Sequence, residues 1–541
     1  MISRFIWSVL TIAAITATPL HGQVFAFIQG DDQTGSDEKV KGYKYQVTNQ
    51  VFSALLKARG DYRLQAPELV MSKKQRYVAW MNPDLVQIGL EEKAYDICVS
   101  FGKDSLNALA ALLSHELTHY YEKHDWNRHF VRENESIEAA QELERLEEGL
   151  KQEAQADYLG GFLALSVGYR TYGIMPALLK KVYQSYRLPD RLPGYPSLSD
   201  RLSMVESAMK RLEELSIIFE MANLLTVVGN YDDAVSYYRS ILVSYQSREI
   251  YNNAGVNSLL AATGFFGPKE MPYLLPIELD PNTRMTGTKN VDAERLNKRK
   301  ALLEDAVKLF DQAIALDDQY TLAYLNKGCA LALLNEFEDA EYCLKKAHKR
   351  NPSPKVAGDL TLMTALVYAL QNDKEQANSL FEQAQAKGSA FAKYNKDVFD
   401  GKTPAAPSMN NGVATKGVEQ IEQFRLADFL TNTTVDKQVQ VVNEVYCGVQ
   451  QKPNSRVLMH YADNGNDYVI VQETNKGYTG ATNRGISLKS TKEDIATAYG
   501  NPTRQIALPS GFIWVFSVPG IYFRFDEKMA LSGWGVFLKP T

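Results

Sequence analysis

Residues 112–121 read "LLSHELTHYY" and place His115, Glu116 and His119 in the spacing H-E-x-x-H. The surrounding run "LNALAALLSHELTHYYEK" is helical by pattern: Ala108, Leu112, His115 and His119 recur by three- and four-residue steps and share one face. Asp104 or Ser105 is placed to cap its start. Two histidines four apart on a helix can direct both imidazoles at one Zn²⁺, with the intervening glutamate beside an open coordination position. There Glu116 can take a proton from water, whose pKa the ion lowers from 15.7 to roughly 7.

Such a site needs a third ligand. A metzincin arrangement requires Gly at 122 and His at 125, where this chain has Glu122 and Asp125. His124 and His129 fit no long zinc motif and read as surface or loop residues. In "KQEAQADYLGG", Glu153 follows His119 by 34 residues, with Asp157 one helical turn further on. In isolation these would be two more solvated charges on an acidic helix. After H-E-x-x-H, Glu153 is the expected third ligand. Asp157 can accept a hydrogen bond from the far nitrogen of a ligand histidine and fix its tautomer.

"SHELTHYY" followed by "EAQAD" resembles the gluzincin metallopeptidases of the CAAX-prenyl-protease type, with H-E-x-x-H and a later E-x-x-A-D, over roughly residues 40–210. Together with the N-terminal segment and the repeats described below, the chain is similar to the soluble periplasmic branch that contains the β-barrel assembly-enhancing proteases. The resemblance implies zinc on His115, His119 and Glu153, with Glu116 as general base and Asp157 behind the ligands. It also implies that "AYDICVSFG" (94–102) is the edge strand of the active site. Members often carry a His-Pro pair shortly before an Arg. Here "GYPSLSDRL" puts Tyr195 at the histidine position and retains Pro196 and Arg201. Tyr195 could donate to a developing oxyanion or simply pack; Arg201 could order the site.

The remaining sequence suggests what surrounds this site. "MISRFIWSVLTIAAITATPLHGQ" has a basic Arg4, an apolar run from Phe5 to Ala17, and Pro19 and Gly22 beyond it, the pattern of a signal peptide ending near residue 22. The expectation is a periplasmic or secreted protein without a transmembrane segment in the mature chain. The 541 residues suit three or four domains. A net charge of −5 argues against nucleic-acid binding. Four scattered cysteines lack zinc-ribbon spacing, and Cys329 and Cys343 read as buried thiols.

From about residue 213 the pattern repeats. Ala306/Phe310/Ala313 recurs 34 residues later as Ala340/Leu344/Ala347, then as Ala377/Phe381/Ala384, with a looser copy at Ala234/Tyr238/Ile241. This resembles tetratricopeptide repeats, whose paired helices stack into a solenoid. The expected organisation is a signal peptide (1–22), an α+β zinc-peptidase domain (23–212), an all-α solenoid (213–397) with an insertion at 263–297, a linker (398–415) and a small α+β accessory domain (416–541). In the last, "QVQVVNEVYCGVQ", "RVLMHYA", "DYVIVQET", "GFIWVFSV" and "GIYFRFDE" read as strands, and "STKEDIATAYGNP" as a capped helix.

The function expected from these features is zinc-dependent endoproteolysis of unfolded or misassembled envelope proteins. The repeats would recruit clients or an envelope complex, and extended substrate would pair with the edge strand. The alternative is a repeat scaffold or chaperone-like binder whose protease domain is latent.

Overall fold

The computed structural model describes residues 40–121, 148–190, 197–277, 293–402 and 419–540, with short breaks at 62, 83–84, 268–269, 423–424, 428–434, 464–466, 476, 509–510 and 527. The N-terminal segment read as a signal peptide, His124, His129 and Tyr195 lie outside the described residues.

The first region is built around one buried helix. Helix α1 (Tyr43–Arg59) precedes strands β1 (Glu68–Ser72), β2 (Ala79–Asn82) and β3 (Gln87–Glu91), which form a sheet in the order β1-β3-β2. β1 runs parallel to β3 and β2 antiparallel to it. Helix α2 (Glu92–Val99) and a short 3₁₀ turn lead into α3 (Ser105–Tyr121), which carries H-E-x-x-H. From Ala108 to Leu117 every residue of α3 is buried, as its apolar, small-residue sequence demands. It touches α1, α2, β2 and β3.

The expected edge strand at 94–102 is instead α2 and the turn after it. Ala94, Tyr95, Ile97 and Cys98 are buried, a helical rather than alternating set, while Asp96 faces outward and accepts a hydrogen bond from Lys44 at 3.0 Å. The edges of the sheet are β1 and β2, and no strand among the described residues pairs with the outer side of β2.

Helix α4 (Glu148–Ser166) carries "EAQAD" and packs on both α3 and the later helix α6 (Leu198–Val228). Two adjacent glycines allow this. A Cβ on Gly160 would stand 2.9 Å from the backbone of Ser114 and His115, and one on Gly161 would stand 2.4 Å from the Leu212 side chain. Helix α5 (Met175–Tyr186) lies between them in sequence and contacts α2 and α6. The hydroxyl of Ser197 caps α6 by accepting from the Asp200 N–H at 3.1 Å.

Helix α6 is continuous for 31 residues, so the boundary expected at 212/213 falls inside a helix. It pairs with α7 (Tyr231–Ser244). Three further pairs follow: α8 (Arg248–Thr263) with α9 (Ala293–Leu316), α10 (Thr321–Leu333) with α11 (Phe337–His348), and α12 (Pro354–Leu370) with α13 (Lys374–Ala386). All twelve residues of the four sequence triplets are buried. Gly255 and Gly328 provide the close approach: an added Cβ would lie 2.7 Å from Phe310 and 2.8 Å from Leu344. The four described cysteines, Cys329 and Cys343 among them, are free thiols. The insertion leaves α8 at Thr263 and returns at Ala293; between them Leu274 is held by the Asn395 amide of helix α14 (Ala392–Phe399), which bonds both its N–H and C=O at 2.8 Å.

The C-terminal region is an eight-stranded antiparallel sheet in the order β4-β5-β6-β7-β11-β10-β9-β8. The strands are β4 (Lys437–Val442), β5 (Val445–Gln451), β6 (Ser455–Ala462), β7 (Tyr468–Thr474), β8 (Arg504–Leu508), β9 (Gly511–Phe516), β10 (Ile521–Asp526) and β11 (Leu531–Leu538). Helix α15 (Lys492–Tyr499), with a Thr491–Asp494 capping box, covers one face through Ile495 and Tyr499. Val439, Cys447, Leu458, Val469 and Val515 on the other face join the core that also contains α6 and α7. Burial on both faces explains why these strands read as continuous apolar runs. Lys437 pairs with Glu213 at 2.6 Å, and Arg456 with Glu220.

The Gly160 contact yields a direct test. Gly160→Val forces α4 away from α3 and should destabilise the protein by about 1–3 kcal/mol, measured by urea unfolding. Unchanged stability would show that the two helices tolerate separation.

Candidate metal centre

α3 and α4 bring His115, His119 and Glu153 together. His115 Nε2 lies 3.0 Å from His119 Nε2 and 3.8 Å from Glu153 Oε2; His119 Nε2 lies 3.6 Å from Glu153 Oε1. Bonds of about 2.0–2.1 Å at tetrahedral angles would put ligand atoms about 3.3 Å apart, so this triangle fits one small divalent ion. The two imidazoles meet edge to face, with centroids 4.8 Å apart.

Asp157 supplies the second half of the arrangement. Its Oδ1 is 2.6 Å from His115 Nδ1. A proton on Nδ1 donated to this carboxylate leaves the Nε2 lone pair pointing at His119 and Glu153. Arg201, in the first turns of α6 and buried, brings Nη2 within 3.1 Å of Glu153 Oε2 and 3.9 Å of Asp157 Oδ2. It is the positive charge that balances these two carboxylates.

Glu116 is fully buried, and neither of its carboxyl oxygens has a hydrogen-bond partner among the described residues. Burial, reinforced by the nearby Glu153 charge, pushes its carboxyl well above the usual range, against the pull of Arg201. Burial also raises Glu153, while Arg201 and His115 act in the opposite direction. The Glu116 carboxyl is thus a buried acid without a hydrogen-bond partner among the described residues, close enough to Glu153 to feel its charge. A divalent ion there would add the charge that reverses the penalty on Glu116.

Of the residues read from the sequence, His115, Glu116, His119, Glu153, Asp157 and Arg201 converge; Tyr195 lies outside the described residues. Sequence reasoning missed Tyr183 of α5. Burial raises its phenol, while the charge of Arg201 and a hydrogen bond to it oppose the shift. Its spacing resembles that of any core tyrosine, so no local signal marked it.

Asp157→Asn preserves shape but removes the charge that holds the His115 tautomer. Metal affinity should fall about 10–100-fold with the fold retained, as read by competition against a chromogenic chelator. Unchanged affinity would remove Asp157 from the metal-supporting role.

No protein-family profile and no curated protein matches the chain. Among solved structures, it is similar to a thermophilic TPR protein of Thermus thermophilus, with 14% sequence identity, 45% of this chain and 98% of that chain covered, and a TM-score of 0.23.

Proposed function

We propose that the chain is a zinc-dependent endopeptidase. The observation that carries this reading is the buried, unpartnered carboxyl of Glu116 beside the His115–His119–Glu153 triangle. Two nitrogens and one carboxylate oxygen suit Zn²⁺. When bound, the ion supplies Lewis acidity for the carbonyl and makes water nucleophilic near neutral pH.

Glu116 takes a proton from water as its oxygen adds to the peptide carbonyl carbon. The same carboxyl then delivers that proton to the departing amine nitrogen as the C–N bond breaks. Arg201 and Asp157 keep Glu153 and His115 in place. An extended substrate can pair along the open edge of β2, which lies against α3; main-chain pairing there favours unfolded segments over folded ones. The paired-helix repeats support a role in recruiting protein clients or an envelope complex.

The N-terminal sequence pattern supports placement in the periplasm or outside the cell. No helix among the described residues is long and apolar enough to cross a membrane.

One observation favours the second reading, a repeat scaffold with a latent protease region: Arg201 already balances the charge of Glu153. Cleavage of casein by the purified full chain separates the two. Glu116→Gln should lower the rate about 10²–10⁴-fold while metal content stays the same, and a chelator should abolish activity. Full cleavage by Glu116→Gln would overturn the mechanism. If the wild-type chain cleaves nothing and the Glu116→Gln chain functions fully in cells, the scaffold reading stands.

A further inference from the structure

We propose that Asp233, His460 and Asp467 form a second divalent-metal site, which fastens the C-terminal sheet to the helical repeats. Asp233 comes from the first turn of α7, His460 from the middle of β6, and Asp467 from the residue before β7. Their ligand atoms all lie within 4.8 Å of one another. His460 Nε2 is 3.1 Å from Asp233 Oδ2 and 3.9 Å from Asp467 Oδ1. These separations bracket the edge of about 3.3 Å expected for tetrahedral ligation.

The hydrogen-bond chain behind His460 points to the ligand. The Tyr237 hydroxyl donates to the Tyr446 carbonyl at 3.1 Å, so its oxygen is left to accept. His460 Nδ1 lies 3.1 Å from that oxygen, and a proton on Nδ1 would donate to it. In that tautomer the Nε2 lone pair faces two carboxylates. His460 is fully buried, and its Nε2, 3.1 Å from Asp233 Oδ2, makes no hydrogen bond of good geometry among the described residues. A cation between the three groups would resolve that repulsion and satisfy all three at once. Imidazole with two carboxylates selects a borderline transition ion such as Zn²⁺ or Mn²⁺ over Ca²⁺ or Mg²⁺. The arrangement parallels His115, where Asp157 plays the part that Tyr237 plays here, but shares no residue with it.

The test is Zn²⁺ stoichiometry of the full chain after chelator stripping and dialysis, by titration calorimetry and elemental analysis. The wild type should bind two equivalents and each of Asp467→Asn, Asp233→Asn and His119→Ala one. Asp467 is half exposed, so its conservative variant should leave the fold intact, which circular dichroism checks. If the first centre binds no metal, the wild type binds one equivalent that Asp467→Asn loses and His119→Ala keeps, and the proposal stands. Equal stoichiometry in the wild type and both aspartate variants overturns it. That result includes the case in which a second proton on the imidazole, paired with Asp233, takes the place of the ion.

Discussion

Buried charge is the constraint around which the first half of the molecule is organised. Glu116, Glu153 and Asp157 sit together in the interior with two histidines. Isolated carboxylates there would cost several kcal/mol each unless paired. One guanidinium, that of Arg201, reaches two of the three. Its own position depends on the start of α6, and hence on the Ser197 cap and on the pair of glycines that seat α4 between α3 and α6. The chemistry of the centre and the packing of three helices are thus a single problem. A shift of α4 would separate Glu153 from the histidines and from its counter-charge together.

The same economy governs the rest of the chain. The helical repeats and the C-terminal sheet do not hang as separate beads: one apolar core runs from α3 through α6 and α7 into the sheet. At the end of α6, Gly229 takes the left-handed conformation that terminates the helix. The carbonyls exposed there are met from the sheet. Arg504 donates to the Thr226 carbonyl at 3.3 Å, and Lys539 to that of Val228 at 3.1 Å. Cations at a helix C-terminus satisfy both the orphan acceptors and the dipole.

Much of the centre was legible in the sequence because its parts are local. His115 with His119, and Glu153 with Asp157, are helical neighbours whose spacing states their geometry. The repeat triplets were legible for the same reason: each marks one helix face. Residues 94–102 were not, because a short apolar run fits both the strand and the helix period. β8 and β11 also went unread. β11 carries two glycines, and Gly535 is required by the Tyr522 ring, 2.4 Å from where its Cβ would stand. Arg201 was visible only through a family likeness. The glycine pair and the cluster around His460 depend on contacts between distant segments, which no window of sequence contains.

The continuous α6 helix has a mechanical consequence. From Arg201 to Val228 it forms a rod about 40 Å long at roughly 1.5 Å per residue. Its far end is gripped by Arg504 and Lys539, and its near end carries the counter-charge of the centre. A tilt of about 5° at the gripped end would move Arg201 by about 3.5 Å over such a length, comparable to the width of the ligand triangle itself. A tilt of that size would part Arg201 from Glu153 unless α4 moved with it.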